Sequence, residues 1–317
     1  MTTRGRVGGL FLTLAVVGCG GEPDQAPATP PPSPDGITTS TVAVGGLTFE
    51  LRTAGPPQGE AVILLHGFPE TSHEWRHQLK ALGRAGYRAI APDQRGYSPG
   101  ARPGDVDAYA AGLLENDVLA IADALGVQRF HVVGHDMGAL IAWQLAAHAK
   151  ERVISNVAIS VPHPDAFSAQ LRDKSSCQWK ASAYFDFFLT PAATDFFLNE
   201  DASQLRKNYV GVPPEDADVY VSALANREAM DAILNWYRAN IESRVFTMPA
   251  LGPVGVPTLY VWSDGDLYLC RQGGELSEAL VDAPYRFEVL PGVDHLVPEN
   301  APEAVSALLL EHLESAR

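Results

Sequence analysis

Short apolar runs alternate with helical stretches along most of the chain. Six of these runs are five to eight residues long and are followed within two residues by glycine, proline or a polar residue, as buried strands are. They are Ala61–Leu65, Tyr87–Ala91, Phe130–Gly134, Val153–Ser160, Thr258–Trp262 and Arg286–Leu290. Strands separated by helices favour a mostly parallel, doubly wound sheet, so we expect an α/β fold from about Thr41 onward.

One interval departs from this alternation of strands and helices. Residues 163–248 are helical in pattern, rich in aromatic side chains and without a strand run. We interpret them as a helical cap inserted after Val153–Ser160, which we take as the sixth strand of the whole sheet. The cap divides the core into residues 39–162 and 249–317. A cap over the carboxyl ends of parallel strands would close a substrate pocket.

The N-terminus predicts export. Arg4 and Arg6 precede the apolar stretch Leu10–Val17, which is too short to span a bilayer. It ends in Val-Val-Gly-Cys19, which resembles a bacterial lipobox and predicts a lipoprotein signal peptide at residues 1–18 with lipid on Cys19. The folded domain would then lie on the extracytoplasmic side of a membrane. The alternatives are an ordinary secretory signal cleaved elsewhere, or a free buried cysteine.

The lipidated cysteine would be followed by a tether. We assign residues 19–38 to it, because Gly20–Asp35 is rich in proline and lacks aromatic and aliphatic side chains that could pack against a core.

Composition and charge limit the classes of binding partner that we expect. The chain has 317 residues, of which 46% are hydrophobic and 19% charged, enough to build one large core with an inserted subdomain. A formal net charge of -15 without a basic run disfavours nucleic acid and anionic lipid headgroups. We therefore expect a small-molecule substrate, and contact with a membrane only through the N-terminal lipid. The sequence does not indicate an oligomeric state.

The motif Gly134-His-Asp136-Met-Gly138 carries the strongest chemical signal. It follows an apolar strand run and precedes a helical one, the pattern of a nucleophile elbow in which small flanking residues permit a strained strand-to-helix turn. The central residue is aspartate rather than serine, which excludes a serine esterase that uses this elbow. An aspartate that only caps the following helix is the alternative.

An oxyanion loop is expected upstream. His66-Gly67-Phe68-Pro69 ends the strand Ala61–Leu65, and a cis proline there would aim the Phe68 N–H toward that of Met137. We interpret Gly67 and Pro69 as residues that shape this turn. His66 and His135 flank the site and are interpreted as packing and backbone hydrogen-bonding residues.

The remaining members of a triad follow the last two strands. Asp266 lies far enough past Trp262 to reach His295, which makes it preferable to Asp264, and His295 follows the strand Arg286–Leu290 at a glycine-containing turn. The sequence after the sixth strand offers no carboxylate before Asp165. The order nucleophile, acid, histidine is the α/β-hydrolase order.

At this point the chain resembles the epoxide hydrolases of the α/β-hydrolase fold, including the hydrolase domain of the soluble mammalian enzyme. The resemblance covers about Thr41–Glu314. It rests on His66–Glu70, Asp93–Tyr97, Gly134–Gly138, Leu234–Arg238 and the late acid and histidine. It implies that Tyr184 and Tyr237 are the two cap tyrosines that hydrogen-bond the epoxide oxygen.

The implied reaction is the opening of an epoxide to a vicinal diol. Asp136 would form an alkyl ester, and His295, oriented by Asp266, would activate water to hydrolyse it while the Phe68 and Met137 N–H groups bind the oxyanion. We expect no metal and no organic cofactor. The epoxide's identity and stereochemistry are not readable from the sequence.

Two alternative functions remain possible from the sequence. A dehalogenase would share the aspartyl ester, but haloalkane enzymes call for Trp where this chain has Met137, and fluoroacetate-type enzymes call for Arg there and His-Trp in place of Tyr184-Phe185. A lipoprotein that binds ligands in the cap pocket without catalysis is the second.

The other two cysteines are Cys177 in the cap and Cys270 four residues past Asp266. In an oxidising compartment they would form a disulfide or stay as two unpaired thiols, and the sequence leaves both open.

Overall fold

The computed structural model describes residues 1–3, 5 and 36–316. Cys19 lies outside the described residues, as do most of the expected signal peptide and tether. Within the described ranges, no helix combines the length and apolarity needed to cross a bilayer.

The centre of the fold is an eight-stranded sheet in the order β1-β2-β4-β3-β5-β6-β9-β10. Its strands are β1 (Ile37–Val44), β2 (Leu47–Ala54), β3 (Ala61–Leu65), β4 (Arg88–Pro92), β5 (Phe130–His135), β6 (Val153–Ile159), β9 (Thr258–Ser263) and β10 (Tyr285–Leu290). In this sheet β2 pairs antiparallel with β1 and with β4, and the other pairings are parallel. The mostly parallel α/β fold is confirmed, and the six predicted strands are present with ends shifted by at most one residue.

The first two strands were not among the predicted ones, and β1 begins inside the segment assigned to the tether. Ile37 is 5% exposed, pairs with Ala54 and packs in the core. The assignment of Ile37 and Thr38 to a tether is therefore wrong. A single buried isoleucine directly after a proline-rich stretch gives no periodic signal, because the rest of β1 is largely exposed.

Twelve α-helices surround and cover the sheet in the described part of the chain. They are α1 (Arg76–Arg84), α2 (Ala111–Ala124), α3 (Met137–His148), α4 (Pro164–Arg172), α5 (Cys177–Ala181), α6 (Phe185–Phe188), α7 (Ala192–Arg206), α8 (Pro214–Leu224), α9 (Arg227–Asn240), α10 (Arg271–Ser277), α11 (Val297–Asn300) and α12 (Pro302–Ser315). The first ten residues of α3 are all buried, so this helix lies inside the core and its N-terminus is held firmly.

The segment between β6 and β9 forms the cap. It contains α4 to α9, and α4 begins at Pro164, next to the predicted boundary, with the His163 side chain accepting the Asp165 N–H at 3.2 Å. The expectation that the cap has no strand is wrong. Two short strands, β7 (Ile241–Glu242) and β8 (Val245–Phe246), form a hairpin. Two residues are too few to show alternation, and the turn between them has no glycine.

A disulfide ties the cap to the core. Cys177 at the start of α5 is bonded to Cys270, which precedes α10. Beside it the Gln178 amide donates to the Tyr268 carbonyl at 2.8 Å and accepts from the Cys270 N–H at 3.0 Å. The structure thus contains the bridge rather than two free thiols, and it holds the cap next to the loop that carries Asp266.

Removing this bridge should destabilise the protein. The closed loop spans a sequence separation of 93 residues, so Cys177→Ser/Cys270→Ser should lower the free energy of unfolding by about 2 to 4 kcal/mol. Urea unfolding measures the loss, and wild-type protein kept in reductant is the control that should match the double variant. Identical unfolding curves for oxidised wild type and the double variant would contradict the bridge.

Candidate active site

Asp136 stands on a strained turn between β5 and α3. Its φ is 48°, a left-handed conformation that residues other than glycine rarely adopt. A Cβ on Gly138 would lie 2.2 Å from the Leu65 carbonyl oxygen, and one on Gly134 would lie 2.3 Å from that of Gly138. Both glycines are required by this packing, and the side chain of Asp136 is thereby directed into the cavity beneath the cap.

His295 lies between two carboxylates. Its Nδ1 is 2.8 Å from Oδ2 of Asp266, and its Nε2 is 3.4 Å from Oδ2 of Asp136. The other oxygen of Asp266 accepts the N–H groups of Tyr268 at 2.8 Å and Leu269 at 3.1 Å, which fixes that carboxylate. Asp264 instead accepts the Gly292 N–H. Of the two candidate acids, only Asp266 reaches the histidine.

The three groups form a buried charge cluster. Burial alone would lower the pKa of His295, but the charges of and hydrogen bonds to Asp266 and Asp136 outweigh it and raise that pKa to about 10. Burial works against ionisation of Asp136 and Asp266 too, yet the histidine holds both carboxyl pKa values below the usual range. At neutral pH the imidazolium therefore neutralises one of two carboxylates.

The oxyanion loop reaches the same point. The Phe68–Pro69 peptide is cis, as the sequence suggested, and the Phe68 N–H donates to Oδ1 of Asp136 at 3.0 Å. Met137 is the first residue of α3, so its N–H has no acceptor within the helix. A Cβ on Gly67 would lie 2.6 Å from that of Asp136, which explains the glycine.

His66 is a backbone-bonding residue, as expected. Its Nδ1 contacts the Gly67 carbonyl at 3.0 Å, and its Nε2 accepts the Gln94 N–H at 3.1 Å. Burial lowers the pKa of His66 to about 4, so the ring stays neutral and can accept.

Tyr184 and Tyr237 face the same cavity from the cap. Tyr237 on α9 is 3% exposed and packs edge-on against Phe68 and Phe188, with ring centroids 5.5 and 5.0 Å away. The Tyr184 ring lies 6.5 Å from that of Tyr237. Burial, and after it the charge of Asp136, raises the pKa of both phenols, so both stay protonated and can donate hydrogen bonds.

The cavity has a volume of about 430 Å³ and contains Asp136, His295 and both tyrosines in its lining. Most of the remaining wall is aromatic or aliphatic, with Phe68, Phe188 and Phe197 near the catalytic groups and Leu267 toward solvent. A wall of this kind binds an apolar molecule and presents only a few polar groups to it.

Three neighbours of the site were not predicted from sequence. Tyr268 packs its ring 5.1 Å from that of His295, and Glu70 and Glu74 surround the ring of His135 behind Asp136. The two glutamates had no signal in the sequence, because Glu70 precedes the short 3₁₀ turn Ser72–Trp75 that contains Glu74 and no regular element relates them.

Glu70, Glu74 and His135 also form the one group in the described ranges in which three ligand-type atoms lie within 4.8 Å of one another. The Nδ1 of His135 and Oε1 of Glu74 are 2.7 Å apart, a hydrogen-bonding distance, so we interpret the group as an ion cluster.

Comparisons with known proteins agree with this fold. The protein family described as "alpha/beta hydrolase fold" matches residues 60–302 of this chain. Epoxide hydrolase A of Mycobacterium tuberculosis is 30% identical over 312 residues, covering 87% of this chain and 97% of that protein. The AB hydrolase superfamily protein YfhM of Bacillus subtilis is 31% identical, with 89% and 99% covered. A solved structure described among novel epoxide hydrolases from metagenomes of hot environments has a TM-score of 0.79 at 32% identity, with 87% and 98% covered.

Proposed function

This chain belongs to the α/β-hydrolase superfamily, and we propose that it is an epoxide hydrolase that opens apolar epoxides to vicinal diols. The observation that carries the proposal is the placement of a triad with an aspartate nucleophile beneath two protonated tyrosines in one apolar cavity. The relatives named epoxide hydrolases support the same reaction. The residue roles below are part of the proposal.

In the first step a carboxylate oxygen of Asp136 attacks an epoxide carbon. The carbon–oxygen bond of the ring breaks, its electron pair goes to the oxygen, and Tyr184 or Tyr237 supplies the proton while the other donates a hydrogen bond. Because the pKa of Asp136 is held low, the nucleophile is ionised at neutral pH. The product is an alkyl ester on Asp136.

Ester formation removes the charge that helped to hold the proton of His295. The pKa of His295 then falls, and its proton can pass through cavity water to the tyrosinate. Neutral His295, oriented by Asp266, takes a proton from water that attacks the ester carbonyl, and the Phe68 and Met137 N–H groups bind the oxyanion. When the ester bond breaks, its electron pair goes to the departing alkoxide, which takes the proton of the hydroxyl that water added and leaves as the diol. Asp136 is then again a carboxylate and His295 keeps its proton, so the starting state is restored.

A dehalogenase is the nearest alternative. It would need a donor for a departing halide, and the thioether of Met137, the residue after the nucleophile, offers none. The two protonated phenols suit an epoxide oxygen, which must accept a proton as the ring opens.

A turnover screen tests the proposal. Styrene oxide and aliphatic epoxides of increasing length form the panel, with haloalkanes and p-nitrophenyl esters as controls. We expect diol from at least one epoxide at a rate above every control. Faster release of halide from a haloalkane than of diol from any epoxide would refute the proposed reaction in favour of dehalogenation.

The tyrosines should act as partly interchangeable donors. Tyr237→Phe should slow ester formation by about 10-fold to 100-fold, and Tyr184→Phe/Tyr237→Phe should reduce it by more than the larger single effect, because one phenol covers for the other. Single-turnover formation of the ester measures this. Tyr109→Phe is the matched loss of a buried phenol, because the Tyr109 hydroxyl donates to the Pro103 carbonyl at 2.8 Å and the residue is not part of the cavity lining. Ester formation at the wild-type rate in the double variant would remove the tyrosines from the mechanism.

We also propose that the enzyme is exported and held at a membrane by lipid on Cys19, with the catalytic domain on the extracytoplasmic side. The support is the sequence Val-Val-Gly-Cys19 after a short apolar stretch, and the proline-rich segment that follows. Attachment by more than one acyl chain would be stable, since a single chain binds membranes only marginally.

Membrane fractionation tests the anchor. Wild-type protein should sediment with membranes and be released by detergent, whereas Cys19→Ala should lose this association. Equal solubility of the two proteins would contradict lipidation at Cys19.

A further inference from the structure

The residue before the nucleophile, His135, sits behind the catalytic groups with no solvent exposure. Its ring lies 5.1 Å from that of His295, and its Nε2 is 2.9 Å from the main-chain oxygen of His295. A carbonyl oxygen only accepts hydrogen bonds, so Nε2 carries a proton and donates to it. His135 therefore binds the backbone of the loop that presents the general base.

The opposite edge of the ring faces two buried carboxylates. Nδ1 is 2.7 Å from Oε1 of Glu74 and 3.2 Å from Oε2 of Glu70, and neither carboxylate is exposed. The second oxygen of Glu74 accepts the Gly67 N–H at 3.1 Å, and the Glu70 N–H donates to the Gly67 carbonyl at 3.1 Å. The same cluster is thus also hydrogen-bonded to the oxyanion loop.

Charge inside the core has to be balanced for such a cluster to persist. Burial, reinforced by the charge of Glu74, raises the pKa of Glu70 to about 8, whereas the two carboxylates raise the pKa of His135 against the effect of burial. Behind them, Glu299 is neutralised by Arg76 at 2.6 Å. Burial raises the pKa of Glu74 as well, so the His135 ring lies beside two carboxyl groups whose ionisation burial opposes.

Apolar side chains of similar volume would fill this space at lower cost, because buried ion clusters seldom add net stability. What apolar side chains could not do is bind the His295 carbonyl and the Gly67 N–H at the same time. The two loops joined in this way carry the base and one oxyanion donor, and in the proposed mechanism both of these act in hydrolysis of the ester.

We propose that His135, held by Glu70 and Glu74, is a positioning residue for the second half-reaction. It fixes the loop of His295 so that the imidazole can take a proton from the water that attacks the ester carbonyl. This rests on the proposed function. Attack by Asp136 on the epoxide does not depend on the link, since the elbow backbone and the Phe68 N–H already place that carboxylate.

Two substitutions separate the contact that the ring makes with the His295 carbonyl from the contact that it makes with the glutamates. In His135→Gln the side-chain amide nitrogen occupies the place of Nε2 and can still donate to the His295 carbonyl. In His135→Asn the shorter amide can reach the glutamates but not that carbonyl. His131→Asn is the control, because His131 is equally buried on β5 but binds Ser155 and Glu60 away from the cavity.

Rapid-quench mass spectrometry of the full-length protein with styrene oxide separates ester formation from ester hydrolysis. His135→Asn should hydrolyse the ester about 10-fold to 100-fold more slowly, with ester formation within about threefold of wild type, so that the ester accumulates. His135→Gln and His131→Asn should stay within about threefold of wild type in both steps. Circular dichroism checks that each variant is folded.

Equal slowing of both steps in His135→Asn, or indistinguishable behaviour of the Asn and Gln variants, would overturn the inference. If His135→Asn does not fold, Glu74→Gln provides the test, because its amide oxygen still accepts the Gly67 N–H. Selective slowing of ester hydrolysis in Glu74→Gln supports the inference. Equal slowing of both steps in that variant overturns it. Failure of His295→Gln to form any ester would overturn the proposed function and this inference together. An ester that forms and is hydrolysed normally in His135→Asn would overturn the inference alone.

Discussion

Asp136→Asn should abolish epoxide turnover, with a loss of at least about 10⁴-fold in kcat/KM. The amide keeps an oxygen that can accept the Phe68 N–H, and asparagine tolerates the φ of 48° better than most residues. What it loses is the ionised oxygen that attacks carbon. Diol formation from styrene oxide measures the effect, with intact mass verifying that the amide is retained.

The fold of this variant should be intact, because Asp136 contributes to the site rather than to the main core. Thermal unfolding within a few degrees of wild type is the control. A folded Asp136→Asn protein that retained a tenth of wild-type turnover would show that another group opens the epoxide.

His295→Gln should stop turnover after the ester has formed and before it is hydrolysed. Steady-state diol formation should fall by about 10³-fold to 10⁴-fold, because no base activates water for hydrolysis of the ester. Ester formation should persist, since the Phe68 N–H and the charge of His135 still favour the ionised form of Asp136 and the tyrosines are unchanged. The intact mass should then rise by one substrate. His131→Asn, which removes a buried histidine from β5 outside the site, should turn over normally.

An unmodified His295→Gln protein, after exposure to an epoxide that the wild type converts, would contradict this role. It would mean that His295 is needed before the ester exists, or that no ester forms.

Much of the core could be predicted because its strands are buried on both faces and therefore form continuous apolar runs. β3, for example, is buried at all five positions and matched its predicted limits. β1 and the β7–β8 hairpin were missed for the opposite reason. β1 is mostly exposed, and the hairpin strands are two residues long, so neither produces a hydrophobic pattern above its surroundings.

The site was predictable where it depends on chain order. In a parallel sheet, residues that follow β5, β9 and β10 meet at one edge, so Asp136, Asp266 and His295 could be expected together. The contacts of Glu70 and Glu74 with His135 could not, because they depend on how a loop before α1 folds under the elbow. The Cys177–Cys270 bridge likewise depends on a distance that the sequence does not encode.

The most direct test of the account is a single turnover of excess wild-type enzyme in heavy-oxygen water, followed by tryptic digestion in ordinary water. Cleavage after Arg129 and Lys150 releases a peptide in which Asp136 is the only acidic side chain. If Asp136 forms an ester that water cleaves at its carbonyl, this peptide gains one heavy oxygen and the first diol carries none. A labelled diol with an unlabelled peptide would mean that water attacked the epoxide directly, and Asp136 would not be the nucleophile.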